Sequence, residues 1–240
     1  MKKLLIIFVM GLLLFSSSSL AKDMEKKFSK VASGKPELIQ EGAEKGFCPV
    51  CAMSINHNYK TSHGVVAKKS KDNRQYCSIR CVLVDGKHAH EGNKHVVVDA
   101  KTEKIIDAKT AYYVLGSKAP GTMSKISKYA FASKDDAKAF NSKFGGKIVL
   151  YDEMIASAKE SLNSDIAMVN MKKNKMMYPM GKKLYKSNCR PIKDFSSYKR
   201  INELKTDIIK NKICDDSIKM KKLQAVTLYL WEIKRLGKSL

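Results

Sequence analysis

Four of the six cysteines in this 240-residue chain are grouped in a way that could do chemistry. Cys48 and Cys51 form a C-x2-C pair in Phe47-Cys48-Pro49-Val50-Cys51-Ala52-Met53. Cys77 and Cys81 follow 25 residues later as a C-x3-C pair in Tyr76-Cys77-Ser78-Ile79-Arg80-Cys81. This is metal-ligand spacing: a tight turn presents the first pair, and two residues four apart stand one helical turn apart on one face. Four thiolates suit structural zinc. Met53 adds a thioether two residues after Cys51, and soft sulfur ligands select Cu(I). The competing readings are two disulfides, which oxidising compartments favour, or buried inert thiols. The five histidines, 57, 63, 88, 90 and 95, all fall in the same stretch.

The elements that must position these thiols read as a repeat. Residues 65–99 give strand (VVAKK), strand (RQYCS), helix (SIRCVLVDGKHA) and strand (KHVVVDA). Residues 111–153 give the same order in AYYVLG, KYAFAS, SKDDAKAFNSKF and GGKIVLYDE. Ser78 and Ser133 are expected helix N-caps, with Asp135 and Asp136 in a first turn where the dipole favours them. Ala137, Phe140 and Phe144 share one helical face, and Gly145-Gly146 ends that helix. The expected fold class is α+β, with duplicated ββαβ units followed by a small all-α C-terminal domain. Either unit alone is near the lower size limit for a stable core.

The segments FCPVCAM, YCSIRC and AYYVLGS…PGTMSKISKYAFASKDDAKAFNSKFGGKIVLYDE resemble the NosL family over residues 46–154. Members are exported copper-binding accessory proteins for assembling the copper centres of nitrous oxide reductase. The resemblance implies two ββαβ units and a copper-binding C-x-M at Cys51 and Met53. It also implies that a second-unit methionine, Met123, takes part. Ala52 stands where the family has glycine, Met123 lacks flanking glycines, and a lipid-anchor cysteine is missing. Cys81 makes the first unit also resemble treble-clef modules. With the thiols that the spacing groups, the expected metal set is Cys48, Cys51, Met53, Cys77, Cys81 and Met123, with Cu(I) as the metal and zinc as the alternative.

Beyond the repeat, Met168, Met171, Met176, Met177 and Met180 crowd into 13 residues, read as a Met-rich linker. MGKKLYKSNCRPI and LQAVTLYLWEIKR then resemble the first and last helices of a class I cytochrome c domain. Haem attachment needs C-x-x-C-H, and Ile192 and Lys193 stand where the second cysteine and histidine belong. The expectation is therefore a haem-less domain. Cys189 and Cys214 are expected to pair instead, closing a loop at a gain of about 3 kcal/mol.

Lys2 and Lys3, an apolar run from Leu4 to Phe15 and Ser19-Leu20-Ala21 read as a Sec signal peptide cut after Ala21, which makes the periplasm the expected compartment. The net charge is +23, but only five of the 46 basic residues are Arg, so nucleic acid is not an expected partner. A Lys-rich solvated surface is the plain reading, and association with an anionic membrane face is the sharper one. Residues 154–240 carry +12 against +9 for 22–153, which argues for a boundary in between. The expected organisation is signal peptide 1–21, linker 22–45, first unit 46–108, second unit 109–155, Met-rich linker 156–180 and helical domain 181–240. No acid–base or nucleophile pattern surrounds the thiols, so an enzyme is not expected. The expected function is delivery of Cu(I) to a periplasmic copper enzyme or its maturation machinery. The alternatives are a structural zinc or disulfide module and, behind it, a thiol redox protein.

Overall fold

The computed structural model describes residues 28–86 and 93–239. The expected signal peptide, His88 and His90 lie outside the described residues.

Both copies of the repeat fold as read. In the first, β1 (His63–Val66) is paired antiparallel with β2 (Arg74–Tyr76) on one side and β3 (Lys94–Val98) on the other. Helix α1 (Ile79–Asp85) joins β2 to β3. In the second, β5 (Tyr112–Leu115) lies between β6 (Lys128–Phe131) and β7 (Lys147–Val149), with α2 (Lys134–Phe144) as the connection. The first strand of each unit is thus central: His63 faces Tyr76 and Val97, as Tyr113 faces Ala130 and Val149. A fourth strand, β4 (Ile105–Asp107), extends the first sheet beside β3. It is three residues long, too short for alternation to mark it in the sequence.

Local chemistry explains the helix ends. Ser133 Oγ accepts from the backbone N–H of Asp136, closing the first turn of α2. Ser78 holds the N-cap position of α1 in an extended conformation, but its buried hydroxyl makes no cap bond. On α2, Ala137 and Phe140 are buried, and Phe140 packs 4.7 Å from Phe144 and about equally close to Tyr129 and Phe131. A main core runs through both units, from Ile55, Tyr59 and Val97 to Tyr113, Val149 and Met154. That shared core is how two undersized units become stable together.

The expected linker at 156–180 is instead helical. The chain runs through α3 (Tyr151–Glu160), α4 (Leu162–Lys172), a π-helical turn (Lys173–Met177) and α5 (Tyr178–Asn188). Between Gly146 and Pro179 there is no Gly or Pro, and Ala, Met, Lys and Leu all favour helix. The final strand correspondingly stops at Val149, because Asp152 and Glu153 belong to the first turn of α3. Among the described residues no helix is long and apolar enough to cross a membrane.

Helices α6 (Ile201–Lys210) and α7 (Met220–Leu228) complete the C-terminal part, and α7 continues as a π-helical segment to Arg235. Leu204, Ile208, Leu223, Val226 and Leu230 form its core. The close crossing of α5 and α7 depends on Gly181, where a Cβ would lie 2.2 Å from the carbonyl oxygen of Ala225. Cys189 and Cys214 are joined in a disulfide that ties the end of α5 to the loop after α6.

Candidate metal centre

The first two thiols sit on a tight knuckle. Cys48 N–H donates to Met53 O at 2.9 Å, Ala52 N–H returns to Cys48 O at 2.8 Å, and Phe47 bridges Ser54 across the base. Ala52 holds φ at 55°, the left-handed conformation for which glycine is the usual residue. Cys77 follows the end of β2, and Cys81 lies in the first turn of α1. This strand-to-helix step and the knuckle give the first unit its treble-clef-like form.

The four sulfurs converge. Cys51 Sγ is 3.5 Å from Cys77 Sγ and 3.8 Å from Cys81 Sγ, and Cys77 and Cys81 are 3.7 Å apart. All four lie within 4.8 Å of one another. A disulfide needs about 2.05 Å between sulfurs. Thiolates held 2.3 Å from a tetrahedral ion stand about 3.8 Å apart. The observed spacing is that of ligands, and the four thiols are free and buried.

A fifth sulfur comes from the second unit. Met123 Sδ lies 3.9 Å from both Cys77 Sγ and Cys81 Sγ. Its loop is clamped from several directions. Lys30 Nζ donates to Gly121 O and Thr122 Oγ1, each at 3.1 Å. Thr122 Oγ1 is 2.8 Å from Thr61 Oγ1, and Thr61 in turn reaches Cys77 O at 3.0 Å. On the far side, buried Asp165 of α4 accepts from Lys125 N–H at 3.0 Å. Gly121 is required here, since a Cβ would meet Ser124 O at 2.8 Å. Met53 is half-buried and packs against the core beside the cluster, without a hydrogen bond to any of the thiols.

The electrostatics favour negative charge on the sulfurs. Burial works against charging Cys48, but hydrogen bonds from Cys51, Cys77 and Cys81 outweigh it and draw its thiol well below the usual range. The bond with Cys48 pushes Cys51 and Cys77 well up. Hydrogen bonds within the cluster thus favour negative charge at Cys48 over Cys51 and Cys77. Two buried cations lie beside the cluster. Arg80 Nη1 is 4.0 Å from Cys81 Sγ, and its Nε finds no partner. Lys205 of α6, 4% exposed, donates to Ala52 O and Gln224 Oε1, each at 2.8 Å, and stands 4.6 Å over the Phe47 ring. Burial lowers its pKa to about 8, against the pull of Cys51. Neither cation pairs with a carboxylate among the described residues. A buried charge without a counter-ion is costly, so the donor set suits a site that is anionic when loaded.

Residues 40–158 match the NosL family model. This NosL segment makes up just under half of the chain. The chain is 27% identical over 144 residues to the copper-binding lipoprotein NosL of Stutzerimonas stutzeri, covering 53% of this chain and 74% of that protein. Among solved structures it is similar to the copper chaperone NosL from Shewanella denitrificans, at 25% identity and a TM-score of 0.38, over 49% of this chain and 96% of that one. The NosL match ends inside α3, so α4 to α7 are additions to it.

The described histidines stand apart from the sulfurs. His57 is exposed and bonds Ser54, and buried His63 contacts His95 at 3.2 Å. His95 reaches Tyr151 at 2.8 Å. None belongs to the four-thiol group. Sequence reasoning missed Arg80, Lys205 and Gln224. Arg80 was in view, between Cys77 and Cys81. Lys205 is one lysine among many, more than 120 residues away from the nearest of these thiols in sequence, and carries no local signal.

Proposed function

We propose that the chain is an exported copper carrier that takes Cu(I) as cargo through sulfur and hands it to a periplasmic copper enzyme such as nitrous oxide reductase, or to its maturation machinery. Met123 carries the reading. A thioether from the second unit lies within 4 Å of two thiols of the first, and a thioether adds affinity for Cu(I) that a zinc site does not use. The proposed ligands are Cys48, Cys51, Cys77, Cys81 and Met123, with Met53 entering from the knuckle when copper is bound. The protein acts by binding and release, without catalysis, nucleic acid or haem. A Lys-rich surface with net charge +23 supports residence near an anionic membrane face.

A second reading has its own support: the spacing of the four sulfurs also fits a closed tetrathiolate zinc site, whose charge of −2 would match Arg80 and Lys205. Thioether variants separate the two. Met123→Leu and Met53→Leu, measured anaerobically against a chromogenic Cu(I) chelator, are expected to weaken Cu(I) binding at least about tenfold, which is about 1.4 kcal/mol. Zinc affinity is expected to stay unchanged. Equal Cu(I) affinity in wild type and both variants would contradict the carrier reading and favour the zinc module.

A further inference from the structure

The knuckle that carries Cys48 and Cys51 is not open to solvent. Its outer, backbone side is occupied by the C-terminal helices. Lys205 Nζ donates to Ala52 O at 2.8 Å, Gln224 Nε2 to Cys51 O at 2.6 Å and Asn202 Nδ2 to Phe47 O at 3.3 Å. Around these three bonds Ala52, fully buried, packs in one apolar cluster with Met177, Tyr178, Ile201, Ala225 and Leu228. The contact thus joins residues 47–52 to three helical segments more than 120 residues further along the chain.

The same additions hold the other half of the site. Asp165 of α4 binds the backbone of the Met123 loop at Lys125. Both loops that present sulfur are therefore pinned by parts of the chain beyond the NosL match. The polar character of the contact is also informative. A buried lysine whose partners are a carbonyl, an amide and a ring costs stability in a contact that only held two domains together. Here it is directed at the backbone carbonyl next to Cys51, which fixes the knuckle that bears two of the thiols.

We propose that the C-terminal helical domain is a retaining cap on the thiol site, with Lys205 and Gln224 as its positioning residues, so that metal enters and leaves only when the domain lifts from residues 47–52. The NosL segment supplies the ligands, and the added helices govern access to them. An acceptor would receive metal by displacing the cap. The proposal builds on the reading of the four thiols as a cargo site, but its test needs no metal.

The test is pulsed alkylation of the full, metal-free chain, with Cys189–Cys214 intact and the other four thiols free, by N-ethylmaleimide, read thiol by thiol by mass spectrometry. The double variant Lys205→Met/Gln224→Leu removes two of the three side-chain bonds to the knuckle, and the Lys205–Gln224 bond that orients them, while nearly keeping side-chain volume. Tyr198→Phe is the control: it removes a bond to Asp207 inside the same domain and leaves the knuckle contact intact. The cap predicts that Cys48 and Cys51 react at least about tenfold faster in the double variant than in wild type or Tyr198→Phe, the effect of losing about 1.4 kcal/mol of closure. Equal rates in all three would overturn it. Should the double variant prove unfolded by circular dichroism, hydrogen exchange on wild type decides: amides of 48–55 and 201–228 opening together support the cap, and independent opening refutes it. Loss of copper binding would leave these outcomes untouched, so failure of the carrier reading and failure of the cap are separable.

Discussion

Three buried charged side chains do much of the positioning in this molecule. Arg80 reaches the Cys81 thiol, and Lys205 holds the Ala52 carbonyl of the knuckle. Glu232, in the π-helical segment after α7, joins Lys173, Lys238 and the Tyr178 hydroxyl. Burial opposes its ionisation, but the two lysines and Tyr178 prevail and hold the carboxyl below its usual range. A carboxyl with a depressed folded-state pKa contributes stability that is complete above its unfolded value, about 4.3, and disappears as the pH falls through the folded one. Glu232→Gln, which removes the charge and one of the two acceptor oxygens, is therefore expected to cost about 2–3 kcal/mol at pH 7 and less at a pH below the folded-state value. Urea midpoints at the two pH values check this. An equal cost at both would show that the carboxylate charge contributes nothing. At this scale the sequence was legible for the sulfurs, because C-x2-C, C-x3-C and C-x-M are local patterns. It was opaque for Lys205 and Glu232, whose partners are brought close only by the tertiary fold.

Among the elements, strands and helices with strong local chemistry were readable. The Ser133 cap and the Gly145-Gly146 stop bound α2 where the sequence puts them. The duplicated ββαβ order is present in both sheets. The methionine-rich stretch, expected as a linker, is helical because propensity is high throughout and nothing interrupts it. Met177 and Tyr178 become buried only because α7 packs over them, next to Gly181. Gly181→Ala is expected to force α5 and α7 apart and destabilise the C-terminal domain by about 1–3 kcal/mol. Thermal unfolding followed at Trp231, which packs in this domain, measures it. An unchanged midpoint would mean the helices cross more loosely than the 2.2 Å approach implies.

In the α+β molecule as a whole, the proposed metal site draws on three sources: thiols of the first unit, a thioether of the second, and buried cationic and amide groups of the helical additions. The family resemblance reached the first two of these sources. The third lies outside the NosL segment, and no pattern in residues 181–240 announces that they pack on the knuckle. Thiols and a thioether converging from two units are soft donors that suit Cu(I), and the most direct test is competition. Reduced full-length protein is equilibrated anaerobically with equimolar Cu(I) and Zn(II), desalted, and its metals are counted. The account predicts that copper is retained and zinc is excluded. Zinc retained in copper's presence, with copper lost on desalting, would contradict it.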